Sequence, residues 1–254
     1  MKERDGIMGE KTIENAFSML IKFGSEENLK KLQQGELYMK NLQYYVDLEK
    51  TTDDEDVGDK YDGQMMLEKV KITMYDNETD VFCGQFDASE ISMNLGYLDC
   101  PVFCMYILDY RNHTSEELNG DNLKVRYDFT EEQREKLSRF GTHALVIKNG
   151  DEFVRRVKDG LLSNNIGYTR DFVKYYSFNN LEQIREIHGD NSRIAFWKRQ
   201  KYAYQQEYRF IAHTEVDDYL SVDIGDISDI TELIEIDVLL NTYFEVGFKV
   251  KEIR

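Results

Sequence analysis

Short strand-like runs recur along this chain, and only a few helical patterns interrupt them, without strict strand–helix alternation. A fold of repeated βαβ units needs a helix between each pair of parallel strands. The pattern therefore predicts an α+β fold of mixed, mostly antiparallel sheets with a few packed helices, as one domain over residues 1–254. Residues 18–23 read as a strand. Ser25 is placed to cap a helix, with Asn28 where a capping box takes Glu or Gln. Leu29 and Leu32 supply that helix's apolar face, and Gly35 suits the position just past its end. Residues 36–45 return as a strand. The stretch 46–64 is acidic, holds Gly58 and Gly63 and has few apolar side chains, so an acidic loop or lid is expected there, at 47–64.

Beyond it, 65–75 and 79–86 read as paired strands joined at an Asp76-Asn77 turn, and 91–98 and 101–110 continue the β pattern. Thr130 caps a helix that reaches Arg139 and ends at Gly141. Residues 143–148 form an apolar strand. Asp151 opens an amphipathic helix with Phe153, Val154, Val157, Leu161 and Leu162 on one side. Strands are expected at 168–178 and 207–212, a helix or loop at 194–202, and further short strands through Ile253.

Composition narrows the function classes. With 41% hydrophobic and 13% aromatic residues a proper core is expected. No run of about 18 apolar residues marks a membrane span, and the polar start Met1–Glu10 has no apolar stretch of the signal-peptide kind, so a cytoplasmic protein is expected. Cys83, Cys100 and Cys104 cannot all pair and read as reduced thiols. A formal charge of −17 argues against non-specific DNA binding, whose affinity comes from Lys and Arg displacing phosphate counterions. The charge is unevenly spread. Residues 47–62 carry eight acidic side chains against two lysines, and 210–248 carry ten with no Lys or Arg. The stretch 193–209 is instead basic, with Arg193, Lys198, Arg199, Lys201 and Arg209 against Glu207.

Several motifs fall short of a function. Gly6-Ile-Met-Gly-Glu-Lys-Thr lacks the glycine before the lysine and the preceding strand of a phosphate loop. A calcium loop at 53–62 would place Val57 at a ligand position. Cys83, Cys100, Cys104 and His113 match no compact zinc spacing, and the four histidines show neither HxH nor HxxxH. Glu49, Asp59 and Asp62 are carboxylates of the type that hold a divalent metal in a nuclease or phosphodiesterase, although nothing in their spacing says that they converge.

The stretch with the most chemistry is 196–212, Phe-Trp-Lys-Arg-Gln-Lys-Tyr-Ala-Tyr-Gln-Gln-Glu-Tyr-Arg-Phe-Ile-Ala. Strand alternation puts Gln205, Glu207 and Arg209 on one face and Tyr208 and Phe210 on the other. One face then presents an amide, a carboxylate and a guanidinium, a surface that orients a ligand, with aromatic rings nearby to stack on a planar group. The plain alternative is that Glu207 and Arg209 pair structurally while Trp197 and Tyr202 pack in the core.

The run from Leu20 to Met39, then Leu42-Gln-Tyr-Tyr, Gly58-Asp-Lys-Tyr-Asp-Gly and Tyr204-Gln-Gln-Glu-Tyr-Arg, resembles a group of bacterial and phage proteins that carries no activity to transfer. The strand–helix–Gly–strand start and the triplet Gln205-Gln206-Glu207 are also similar to the ADP-ribosyltransferase fold. That resemblance implies a carboxylate, Glu207, holding the nicotinamide-ribose hydroxyl and stabilising an oxocarbenium-like ribose, with Gln205 helping to select the acceptor. It further implies Lys22 and Arg209 on the NAD phosphates and an aromatic such as Tyr38 or Tyr202 stacked on the nicotinamide, with Trp197 among the cofactor-binding residues. Lys22 stands where that family uses Arg or His, and no Ser-Thr-Ser segment occupies the expected middle strand. Two readings follow. The first is a non-catalytic binding protein of a phage or bacterial conflict system, without a cofactor, that grips a host protein or a small nucleotide, its acidic patches steering a basic partner. The alternative is an NAD-using transferase with Glu207 catalytic.

Overall fold

The computed structural model describes residues 18–52, 58–94, 96–109, 112–120, 122–177 and 180–249. In chain order its strands are β1 (Ser18–Gly24), β2 (Glu36–Asn41), β3 (Gln64–Tyr75), β4 (Phe82–Asn94), β5 (Pro101–Asp109), β6 (Ser115–Asn119), β7 (Asn122–Asp128), β8 (His143–Ile147), β9 (Tyr168–Phe172), β10 (Lys174–Tyr176), β11 (Trp197–Arg199), β12 (Glu207–Ala212), β13 (Tyr219–Asp223), β14 (Thr231–Glu235) and β15 (Tyr243–Lys249). The helices are α1 (Glu26–Gln33), α2 (Leu42–Thr52), α3 (Glu131–Leu137), α4 (Gly150–Ser163), α5 (Leu181–Gly189) and α6 (Ile236–Leu240). The fold is α+β and mostly antiparallel. Among the described residues no helix is long and apolar enough to cross a membrane.

An eight-stranded sheet organises the molecule, in the order β13-β2-β5-β1-β8-β14, with β12 on the other edge of β5 and β9 outside β12. Its two faces are covered separately. Leu20, Phe103, Met105, Tyr208 and Phe210 face α1 and α4, which contribute Leu29, Leu32, Phe153, Val157 and Leu161. Ile21, Tyr106, Ala144 and Val146 face the opposite way, against Leu137 of α3, Leu239 and Leu240 of α6, and Tyr127, Tyr202 and Tyr204. Burial of these two apolar layers is the main drive to fold.

Local signals explain most element ends. The Ser25 hydroxyl accepts from the Asn28 amide at 3.3 Å, opening α1. Gly35, with φ of +106°, closes it in a conformation that penalises a side chain. Thr130 and Gln133 form a complete capping box on α3.

Several expectations need correction. The strands expected at 79–86 and 91–98 are replaced by one, β4, from Phe82 to Asn94, and Leu162, expected on the apolar side of α4, is half exposed. The strand expected over 36–45 stops at Asn41, whose side-chain oxygen accepts from the Tyr44 amide at 3.0 Å and starts α2. The acidic loop expected at 47–64 is helical as far as Thr52, and residues 53–57 lie outside the described residues. In α2 the buried positions are Leu42, Val46 and Glu49, the i, i+4, i+7 stripe of a helix with a carboxylate in the third apolar slot. That glutamate hides the pattern. The single strand expected over 168–178 is two: β9 pairs antiparallel with β12, and after Val173 the chain turns into β10, which pairs parallel with β11.

Candidate functional site

Strands β1 and β2 share one edge of β5 and then part. β1 pairs with it at Asp109 to Tyr106, and β2 at Val102 and Pro101. Across 103–105 no strand partner lies on that edge among the described residues. The opposite edge is continuous, because β12 pairs with β5 from Val102 to Tyr106. Alternation of backbone groups along a strand sends the Ile107 amide to the β12 side, where it meets Gln206, and so points the Cys104 carbonyl into the gap. A strand amide would ordinarily satisfy that carbonyl. Here the Lys22 ammonium does so, with Nζ donating to it at 2.7 Å while sitting 4.6 Å from the Phe103 ring centre.

A cavity of about 230 Å³ opens at this gap. Its floor is the end of β1 (Ile21, Lys22, Phe23) and the middle of β5 (Cys104, Met105, Tyr106). Its polar wall is Gln205, Glu207 and Arg209 with Lys198 and Asp62, and its remaining wall includes Tyr45, Leu137 and Phe140. Phe23 and Tyr106 meet edge to face, 6.0 Å between ring centres.

The polar wall is a closed ion-pair network. Arg209, 1% exposed, donates Nε to Glu207 Oε2 at 2.8 Å. Its two terminal nitrogens clamp both oxygens of Asp62 at 2.7 Å each, and Nη1 also reaches the Ala195 carbonyl. Lys198 Nζ donates to Glu207 Oε1 at 2.6 Å and to Gln205 Oε1 at 2.7 Å. Burial alone would push the Glu207 acid up, but Arg209 and Lys198 outweigh it and hold the carboxyl well below the usual carboxylate range. Glu207 is thus a fixed negative charge on the cavity wall. Burial raises the Cys104 thiol to about 11, so it stays protonated and is a poor nucleophile at neutral pH.

A second network lies behind the first. Arg199 donates Nε to Asp59 Oδ1 and Nη2 to Glu49 Oε2, each at 2.8 Å, and the Tyr202 hydroxyl donates to the same Glu49 oxygen at 3.0 Å. Asp59 Oδ2 is buried with no hydrogen-bond partner. Burial, then the neighbouring Asp62, pushes the Asp59 acid above its ordinary value despite Arg199 and Lys198. Gly58 brings the chain back against α2 so closely that a Cβ there would lie 2.6 Å from the Tyr45 carbonyl oxygen, at a φ of +97°.

Four of the seven residues singled out in the sequence, Lys22, Gln205, Glu207 and Arg209, line this one cavity. Tyr202 lies behind its wall, with Lys198 Nζ 4.8 Å from its ring centre. Trp197 packs with Met65, Tyr176, Ile187 and Ile194 in a separate apolar cluster. Tyr38 is on the surface, stacked on Tyr219 at 4.8 Å. Gln205 and Glu207 do not share one regular strand, because Gln206 between them is left-handed, with φ of +40°. They meet through Lys198 instead. Lys198 and Asp62 complete this wall, although the sequence marked Lys198 only as part of a basic stretch and Asp62 only as a candidate metal-holding carboxylate. Glu49, Asp59 and Asp62 do converge, but onto arginines, and among the described residues no group of three or more His, Cys, Asp or Glu is arranged to hold a metal ion.

Compared with family models, with curated proteins and with solved structures, the chain finds no match in any of the three.

Proposed function

We propose that this chain is a small-molecule-binding protein whose cavity at the strand gap takes a compact, flat, oxygen-bearing ligand, of the size of a nucleobase, a nicotinamide or the base end of a nucleotide. The observation that carries this reading is Lys22. It is the cavity cation with no carboxylate within ion-pair distance among the described residues, and its one hydrogen bond goes to a backbone carbonyl. An ammonium has three donors, so two remain for a ligand oxygen. Burial lowers the pKa of this amine, and an anionic ligand oxygen facing it opposes that shift. Phe23, Tyr106 and Phe140 supply the apolar walls that a flat ring needs.

The size of the cavity sets the ligand. At about 230 Å³ it falls below the ~300–1,000 Å³ usual for drug-sized ligands, so a ring fits inside and the rest of a larger molecule stays outside. Arg209 and Lys198 are committed to Glu207 and Asp62, which leaves the anion contact to Lys22. Calorimetric titration of nicotinamide, nucleobases, mononucleotides and NAD is the direct test. At least one ring-bearing ligand binds the wild type, and Lys22→Met weakens it about tenfold or more without abolishing the thermal transition. Failure of every ligand, or unchanged affinity in Lys22→Met, defeats the reading.

The transferase reading keeps one specific support, the presence of Glu207 on the same cavity wall. Both its oxygens are held by protein cations. Catalysis by it requires NAD turnover by wild type that Glu207→Gln removes, followed by release of nicotinamide on a chromatogram.

A further inference from the structure

Strands β3 and β4 form a two-stranded sheet that pairs with no other strand among the described residues. Its base is anchored, since Met65 and Met66 are buried. Beyond that base the arm stands in solvent. In its outer half Ile72 pairs with Phe86 and Tyr75 with Phe82, and Met74 lies across from Gly84. Side chains directly opposite in an antiparallel pair share a face, so Ile72, Met74 and Phe86 gather on one side, while Lys71, Thr73, Gln85 and Asp87 take the other; the register shifts between Met74 and Tyr75, and Tyr75 meets Phe82 beyond that shift, ring centres 6.2 Å apart. Met74, Tyr75, Phe82 and Phe86 are each about half exposed or more, at 48%, 61%, 58% and 50%. An isolated two-stranded hairpin is marginal in water and needs a third layer or strand on its apolar side. This arm has the amphipathic alternation of a covered sheet and nothing on top of it among the described residues.

Charge indicates what covers it. Between Lys71 and Arg111 the sequence contains no Lys or Arg, while Asp76, Glu78, Asp80, Asp87 and Glu90 all lie on the arm. Asp76 accepts from the Glu78 and Thr79 amides and from the Thr79 hydroxyl, which fixes the turn with its carboxylates outward. A second copy of this chain brings the same acids and a net charge of −17 to the contact, which like-charge repulsion disfavours. We infer that the apolar face of the β3–β4 arm is a docking surface for a basic protein segment, one that alternates Lys or Arg with apolar side chains and lies along the arm as an added strand or layer. Apolar residues would seat on Ile72, Met74 and Phe86, and cations on the acidic rim. This inference is independent of the cavity and its ligand.

The test uses three labelled peptides of equal length on the full chain, read by fluorescence anisotropy at low and moderate salt. In the first, Lys alternates with Val and Tyr; in the second, Lys alternates with Ser; in the third, Glu alternates with Val and Tyr. The first peptide binds, more weakly as salt rises, and protects arm amides from hydrogen exchange. Its affinity falls about tenfold in a Met74→Ser/Phe86→Ser variant and falls again in Glu78→Gln/Asp80→Asn. Equal binding of the Lys–Ser peptide reduces the effect to bulk charge and overturns the inference. Equal binding of the Glu–Val–Tyr peptide removes the basic partner, and no binding of the first peptide removes the docking surface. A wild-type dimer in sedimentation that Met74→Ser/Phe86→Ser dissociates assigns the face to a second copy, and also overturns it.

Discussion

Two acidic stretches lie close together in this chain, Glu49 to Asp62 and Asp76 to Glu90, and they end in opposite environments. In the first, Glu49, Asp59 and Asp62 are 7%, 0% and 1% exposed, each bonded to an arginine that lies well over a hundred residues later. In the second, Asp76, Glu78, Asp80 and Asp87 are exposed, and none forms an ion pair among the described residues. Similar composition therefore does two different jobs. The first set neutralises Lys198, Arg199 and Arg209 and ties the segment after α2 onto β11 and β12. The second set is left facing solvent. Net charge counts both alike, although only the second can act on another molecule at a distance.

The buried set gives the largest expected effect. Arg209→Met leaves Glu207 and Asp62 as buried carboxylates with one ammonium between them, and removing one member of such a set costs about 3–5 kcal/mol. Against a total stability of roughly 5–15 kcal/mol for a natural protein, that approaches unfolding. Urea titration at neutral pH measures it as a lowered midpoint. A loss near zero would mean that the network is decoration on an apolar core, and the contrast between the two stretches would fail.

Acid titration sharpens the same contrast, because the two buried networks respond with opposite sign. Glu207 is held below its ordinary value of 4.5, so its contribution is full above that pH and is lost as pH falls below it, when the unfolded chain takes up the proton first. Asp59 is raised above its ordinary 3.8, so the folded protein takes up that proton first, and stability gains as pH falls toward 3.8 from above. Wild type is expected to hold its stability on mild acidification and to lose it below about pH 4.5. Asp59→Asn removes the compensating gain, so its urea midpoint falls more steeply than that of wild type below about pH 4.5, where the loss from Glu207 is no longer offset. Parallel midpoint–pH curves for the two proteins would defeat this assignment.

How much of this was legible in the sequence follows from the range of each signal. Capping at Ser25 and Thr130, the amphipathic α4 and the period-two alternation of β12 are local, and each can be read from a window of a few residues. The start of α2 is also local, through Asn41, but Glu49 in an apolar slot of the helix concealed its continuation. The cavity is not local. It depends on β1 and β2 separating along β5, and a split of two strands over a third leaves no mark in any one of the three segments. The polar wall shows the same limit. Glu207 and Arg209 share a face by alternation, whereas their partner Asp62 comes from a stretch that reads as a solvated loop. Tyr38 and Trp197 were attractive as stacking residues because aromatic type is visible in sequence and burial is not; Trp197 went into a core cluster and Tyr38 to the surface.

The smallest expected effect falls on the exposed set, and it completes the comparison. Glu78→Gln/Asp80→Asn alters two carboxylates at the tip of the arm, where no cation is bonded to either among the described residues and water screens both. No buried group loses a partner, so the urea midpoint at neutral pH is expected to stay within the error of the measurement. Asp76 is left in place because it holds the turn through three hydrogen bonds. A measurable rise in stability would show that the tip carboxylates repel one another strongly enough to strain the hairpin, and the arm would then resemble a site under electrostatic stress awaiting a counter-charge. A measurable fall would show that they contribute to the fold after all. Only an unchanged midpoint, beside the large loss in Arg209→Met, supports the division of this acidic chain into charge that folds it and charge left for a partner.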